Sequence, residues 1–547
     1  MYPCCLGDLT HPSTGRTTLS ETFLGCQKQP VSCLLLIDGG IRAPGAGPLR
    51  IGSSCHVLPT VPQSCHDPTK SLRCWKSDKN IQMSELDRRK ATMSKTDAVI
   101  SDWITQEVGG RVTSMTRQSR WRPTWFVDVE RNGEALGVVV RGERGAGIPM
   151  QFPLSHEMAL QRVMGAHRIP VPSVYGWIDE LPAYVMERVD GQPGFDGLTT
   201  DQRDAVMRDY MAALAELHRL PLQPFVDAGV YRASSPAESG RLGMKRFEEV
   251  WRAGKNAPNP LLEFVLGWLR RHPVDSRGRE SAIVWDSGQL HQKDGRFVAL
   301  LDLEAGHIGD PMMDLAAPRM RDTVLHFGDF NTLYAEYERA GGYPVDIDAV
   351  QLHHIAFTLT NELAFRNSLN DPSPESDYMT NLHWCSETNL HAMEALAERI
   401  GLDLEPPDTP DVPPTRAATA HRQLVEMLRD PGSEDEYARY RLRVAFRLAR
   451  YLQREDEIGA EVTNADLDDL VPLLGHRPGT WQDGDAALER FVLDDDGHHD
   501  AQLCQLFYRR LIRHKASLGP PGSAMVAHHV CQPFTPYPPE TPQRRSR

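Results

Sequence analysis

The run Ile283–Ala316, IVWDSGQLHQKDGRFVALLDLEAGHIGDPMMDLA, decides how this chain is read. Two apolar, strand-like pieces, Ala282–Trp285 and Phe297–Leu301, each lead into an aspartate, Asp286 and Asp302. Between them Lys293-Asp294-Gly295-Arg296 carries a hairpin turn signal. The pattern predicts adjacent short strands whose ends aim two carboxylates at one spot. Downstream, Asp310-Pro311 is a good N-cap and N1 pair for a helix, so Asp310 and Asp314 read as structural. Glu304 and His307 lean the same way.

The same run resembles the aminoglycoside phosphotransferase family, and the resemblance extends over Asp97 to Leu404. In that family a strand enters a His-Gly-Asp-x-x-x-x-Asn loop. A hairpin then leads to Ile-Asp-Trp/Phe-Glu, and Gly-Asp-Pro-x-x-Asp-Leu-Ala follows. Here Leu301-Asp302-Leu303-Glu304 and Gly309-Asp310-Pro311-Met312-Met313-Asp314-Leu315-Ala316 match, the latter without a gap. The resemblance implies an α+β, two-lobed protein-kinase-like fold with a small antiparallel-sheet N-lobe and a mainly helical C-lobe. It implies a Mg²⁺-dependent transfer from ATP or GTP to a small hydroxyl-bearing acceptor. Asp286 falls at the family's catalytic aspartate and Asp302 at its metal-binding one. Phosphoryl transfer needs both roles: one carboxylate for the hydroxyl's proton, another for the cation on the phosphates. Val284-Trp285 replaces the family's His-Gly, and the following loop is shorter. Counting back from the turn puts Gln289 at the family's second metal ligand and keeps the hairpin in register, whereas counting forward puts His291 there. These replacements carry the alternative, a catalytically inactive kinase-like binding module. Asp302-Leu303-Glu304 with Ala305-Gly306-His307-Ile308-Gly309 looks most similar to the branch associated with acyl-CoA dehydrogenases, which implies hydroxyacyl acceptors.

Toward the N-terminus the order reads strand, strand, strand, helix, strand, strand. Asn132-Gly133 marks a hairpin between the second and third strands. The resemblance places Arg141, at the end of Gly137–Val140, where the family has a phosphate-contacting cation. Glu157, on a helix that Ser155 can cap, is its natural partner. Arg117, Arg120 and Arg122 stand where a nucleotide loop would lie, without its glycines, and could grip phosphates by charge. Tyr184, Val185 and Met186 resemble the strand into the adenine hinge, and His218 reads as a packing histidine.

Outward from this domain (N-lobe 85–190, C-lobe 191–404) the chain changes character. Residues 1–84 hold seven of the ten cysteines, Cys4, Cys5, Cys26, Cys33, Cys55, Cys65 and Cys74, with no CxxC spacing, and read as disordered, with Met83 or Met93 a plausible start. Residues 405–415 read as a Pro-rich linker, 416–516 as a helical extension with Ser433 and Glu436 forming a capping box, and 517–547 as a disordered tail. The extension could serve as a homodimer surface. Net charge is -14 over 547 residues, which argues against a nucleic-acid partner. No apolar run approaches the ~18 residues of a membrane helix, so no membrane partner and a cytoplasmic location are expected.

Overall fold

The computed structural model describes residues 94–118, 122–144, 150–373, 376–408, 414–429, 432, 435–519 and 531–537. The expectations for residues 1–84, Arg120, Ser433 and the centre of the Pro-rich linker lie outside them.

Ser94 caps α1 (Lys95–Trp103), which ends in a π-helical turn, Ile104–Val108. Strands β1 (Arg111–Arg117), β2 (Thr124–Arg131) and β3 (Glu134–Gly142) follow, then α2 (Leu154–Ala166), β4 (Val174–Ile178) and β5 (Ala183–Glu187). The sheet order is β1-β2-β3-β5-β4, antiparallel throughout. Asn132 and Gly133 both have positive φ, as the tight β2–β3 turn requires. Alternation then sorts the faces. Trp125, Val127 and Val129 on β2, with Val138 and Val140 on β3, pack with Ile100 and Ile104 in the N-lobe core. Each such aliphatic burial contributes about 1.5–3 kcal/mol. Arg141, one residue out of that phase, points to the other face, toward α2. The N-cap of α2 is Pro153 with no side-chain cap, so Ser155 is an internal helical residue rather than the expected cap.

The C-lobe begins with α3 (Thr200–His218), held by a Thr199/Gln202 capping box. Then come α4 (Leu242–Ala253) and α5 (Pro260–Arg271). Strands β6 (Ser281–Ile283), β7 (Leu290–Lys293), β8 (Arg296–Leu300) and β9 (His307–Gly309) lead into α6 (Met312–Leu325). The pairing differs from the expectation of adjacent strands: β6 pairs with β9, while β7 pairs with β8 across the Asp294-Gly295 turn. Asp314 on α6, described below, bonds the backbone immediately after β6. Helices α7 (Phe330–Arg339), α8 (Ile347–Thr358), α9 (Thr360–Asn370) and α10 (Tyr378–Ile400) complete the lobe.

Beyond it run α11 (Ala418–Arg429), α12 (Glu436–Asp468), α13 (Trp481–Asp494) and α14 (Asp500–Leu518). Asp435 caps α12 by accepting from Ala438 N. This extension is no appendage. Leu467, Leu488 and Phe507 share one hydrophobic cluster with Leu262, Phe264 and Leu396 of the C-lobe. In mid-α12 Ala449 is buried, whereas Leu448 is exposed. The tail also differs from its expectation over residues 531–537, which lie against α6 and α7: Asn331 Nδ2 donates to Thr535 Oγ1 at 2.7 Å and the Tyr537 hydroxyl to Glu338 at 2.7 Å. The fold is thus α+β and two-lobed, with a sheet lobe, a helical lobe and a helical C-terminal part built into the latter.

Candidate active site

The face of β3 opposite the N-lobe core presents Arg141 to α2, where its Nε lies 2.9 Å from Glu157 Oε1. Register sets Tyr184 beside Arg141, and the Tyr184 hydroxyl donates to Glu157 Oε1 at 3.2 Å and Gln161 Oε1 at 3.1 Å. Burial pushes the Glu157 carboxyl up, and Arg141 and Arg122 offset only part of that. Arg141 also pairs with Asp302 and lies 3.5 Å from Glu304.

The loop carrying Asp286 is held from below. Asp314, on the first turn of α6, accepts from Val284 N at 3.0 Å and Trp285 N at 2.6 Å. His218 Nε2 lies 3.1 Å from the same carboxylate, and its Nδ1 lies 2.8 Å from the Tyr337 hydroxyl. Ser287 Oγ donates to Asp314 O, and the Tyr210 hydroxyl to Ser287 O. Asp314 and His218 are therefore structural, as expected, but the structure they hold is the Asp286 loop itself. The N-cap of α6 is Pro311, without a side-chain cap, so Asp310 lies one residue before the expected cap position; it accepts from Met312 N at 3.1 Å and pairs with Arg279. Trp285 adopts φ 60°, a conformation that glycine reaches without strain and that costs other residues about 1–2 kcal/mol. Its ring is fully buried against Phe247, His307 and Phe357.

Asp286, Gln289 and Asp302 are contiguous. Gln289 Nε2 donates to Asp286 Oδ2 at 2.7 Å and to Asp302 Oδ2 at 2.9 Å. Gln289 Oε1 is buried with no hydrogen-bond partner among the described residues. Such an orphan acceptor beside a carboxylate suits a hard cation that takes oxygen ligands. His291, the other residue the count allowed, has no hydrogen bond from either ring nitrogen among the described residues, and burial pushes its pKa down to about 4.

Around these groups lies a network of charge that the sequence disclosed only in part. Arg321, three turns along α6, grips Asp286 through both Nε, at 2.6 Å, and a terminal nitrogen. Arg122 Nη1 donates to Glu304 at 2.5 Å, and Arg144 pairs with the same carboxylate. Four guanidinium groups (Arg122, Arg141, Arg144, Arg321) thus meet four carboxylates (Glu157, Asp286, Asp302, Glu304). Burial pushes the Asp302 carboxyl up, yet Arg141 draws it below its ordinary value. For Glu304 burial acts the same way, and Arg144, Arg122 and Arg141 hold it well below.

The remaining expected residues divide. Arg117 does not join the cluster; its guanidinium stacks over Tyr437 of α12, 4.5 Å from the ring centroid. Arg122 is turned inward rather than offered to solvent, because its Nε donates to Gly142 O at 3.1 Å and Glu304 and Glu157 flank it. Tyr184 and Met186 sit on β5, an interior strand whose backbone is taken by β3 on one side and β4 on the other. Glu187 N and Arg188 N are bonded too, to Ser173 O and Gly137 O, so backbone open to a base begins beyond Arg188. Sequence reasoning passed over Arg144 and Arg321. The only available signal was arithmetic: a buried carboxylate needs a cation, and Arg321 lies two helical turns past Asp314 on a helix already tied to that loop.

Residues 123–352 match the phosphotransferase enzyme family. Among curated relatives, acyl-CoA dehydrogenase family member 11 of Rattus norvegicus is 24% identical over 213 residues, 37% of this chain and 27% of that protein. Probable acyl-CoA dehydrogenase IBR3 of Arabidopsis thaliana is 26% identical over 219 residues, 36% of this chain and 26% of that one. The chain therefore spans about a quarter of the length of the curated relatives it matches. Similar solved structures include macrolide 2'-phosphotransferase MphH from Brachybacterium faecium, at 17% identity and TM-score 0.38 over 53% of this chain and 97% of that one. Choline kinase LicA from Streptococcus pneumoniae aligns at 15% identity and TM-score 0.39 over 56% and 99%.

Proposed function

Taking as premise that residues 123–352 belong to the phosphotransferase enzyme family, we propose that the chain moves the γ-phosphate of ATP or GTP to a hydroxyl of a small molecule, with Mg²⁺. The observation that carries this is the contiguity of Asp286, Gln289 and Asp302 beneath the Arg141–Glu157 pair. Asp286 would orient the acceptor hydroxyl and receive its proton at a carboxylate oxygen. Asp302 and the orphaned Gln289 Oε1 would supply oxygen ligands to Mg²⁺, whose role is to neutralise phosphate charge. Arg141, oriented by Glu157, would contact the phosphates. The relatives' naming as acyl-CoA dehydrogenases supports a hydroxyacyl acceptor.

A second reading has its own observation. In this state both key carboxylates are already neutralised, Asp286 by Arg321 and Asp302 by Arg141. A kinase-like module without turnover would keep these pairs closed, whereas an active enzyme must open them when phosphates compete for the arginines. Calorimetric titration of the full chain with ATP and GTP, each with and without Mg²⁺, and of Asp302→Asn, tests the proposal. Metal-dependent binding lost in the variant is expected; absence of nucleotide binding under all four conditions overturns it.

A further inference from the structure

Away from that site, α10 and the C-terminal segment 531–537 bring three metal-ligating side chains together. His391 and Glu394 are three residues apart on α10, so they share one face. Cys531 comes to them from the segment, which is fixed by contacts of its own. Gln532 Nε2 donates to Asp322 Oδ2 at 3.0 Å and to Gly328 O at 2.8 Å. Phe534 N donates to Glu398 at 2.6 Å, and the Phe534 ring lies under the Arg319 guanidinium, 3.5 Å from centroid to carbon. The result is His391 Nδ1 at 2.7 Å from Cys531 Sγ, with a Glu394 oxygen in the same group, all three atoms within 4.8 Å of one another.

We propose that His391, Glu394 and Cys531 form a zinc site that ties the C-terminal segment to α10. The donor set selects the ion. Imidazole nitrogen, carboxylate oxygen and thiolate sulfur together suit borderline Zn²⁺; the sulfur disfavours Mg²⁺ and Ca²⁺, and the carboxylate disfavours Cu(I). A zinc tetrahedron built from such ligands has edges of about 3.3–3.7 Å, so the ligand atoms here are already gathered and Cys531 Sγ need retreat from His391 by only about 1 Å. At neutral pH a thiol carries its proton. Binding would replace that proton, releasing it to solvent, with the S–Zn bond formed as the S–H bond breaks. Three protein ligands leave a fourth position for water. His391 also lines a small cavity with Thr388 and Arg321, so the site backs onto the helix that holds Asp286.

The test compares the full chain with Cys531→Ser and His391→Asn; the N-terminal cysteines are common to all three and cancel. Each protein is loaded with zinc, dialysed and assayed for metal, then reloaded with cobalt and scanned for the near-ultraviolet thiolate-to-cobalt band. The wild type is expected to hold about one equivalent more than either variant and to lose the corresponding cobalt absorbance in Cys531→Ser. Hydrogen exchange of residues 531–537 should slow with zinc in the wild type and not in Cys531→Ser. Equal metal content in the three proteins, or exchange in the wild type that ignores zinc, overturns the proposal.

Discussion

Replacing Arg321 by methionine should cost far more than an ordinary surface change, because the arginine holds a carboxylate with no other cation against it among the described residues. Asp286 is fully buried, and among the described residues its partners besides Arg321 are the neutral amide of Gln289 and backbone. With charge centres about 4 Å apart and an effective dielectric near 20, the attraction is about 4 kcal/mol. Removing one partner also strands the other charge in the interior, and such single removals cost about 3–5 kcal/mol. Removing both, in Asp286→Asn with Arg321→Met, eliminates the stranded charge and should recover most of that loss. The assay is a double-mutant cycle by urea denaturation, followed by the fluorescence of the buried tryptophans Trp251, Trp268 and Trp285. A coupling energy above about 2 kcal/mol is expected. A loss under about 1 kcal/mol for Arg321→Met, with additive behaviour in the double variant, would refute the reasoning and mean that water or another cation already serves Asp286.

Trp285→Gly relieves a positive φ, which recovers about 1–2 kcal/mol, but empties a fully buried indole site at about 3–5 kcal/mol, so a net loss of about 1–4 kcal/mol is expected by the same denaturation. His307 is fully buried, and desolvation lowers its pKa to about 4. The unfolded chain therefore takes up a proton below about pH 6.5 that the folded chain refuses, and stability should fall as pH drops from about 6.5 to about 4, by up to about 3 kcal/mol, with His307→Gln flattening that slope. Glu304 works in the same sense at lower pH: its depressed carboxyl contributes stability present above its unfolded pKa and lost as pH falls through the folded one. Glu304→Gln should therefore weaken the protein at neutral pH and show a shallower acid transition.

The elements were legible in the sequence wherever the signal was local. The order strand, strand, strand, helix, strand, strand is the one observed, and Asn132-Gly133 and Asp294-Gly295 make the turns their residue types demand. The pairing of Arg141 with Glu157, read from order along the chain and from resemblance, is met by a 2.9 Å contact. What stayed hidden depends on distance along the chain. Nothing near Ile283 says that β6 will pair with β9 rather than with the strand after the turn, or that Asp314, three decades of sequence number on, will hold the two backbone N–H groups that follow it. Arg122 looked like a solvent-facing phosphate grip because its partners, Glu304 and Gly142 O, are brought to it only by the folded lobes. The extension's burial against α5 was equally silent, since an amphipathic helix declares that it has an apolar face and not what covers it.

Phosphoryl transfer itself is the most direct test. The full chain would be incubated with ATP or GTP, Mg²⁺ and a panel of hydroxyacyl compounds, with Asp286→Asn alongside, and product phosphate followed by phosphorus NMR. The account predicts a new phosphate-ester signal for at least one acceptor, absent in the variant. Nucleotide that binds yet is never transferred, with wild type and Asp286→Asn indistinguishable, would contradict it and identify the closed Arg321–Asp286 pair as the resting state of a binding module.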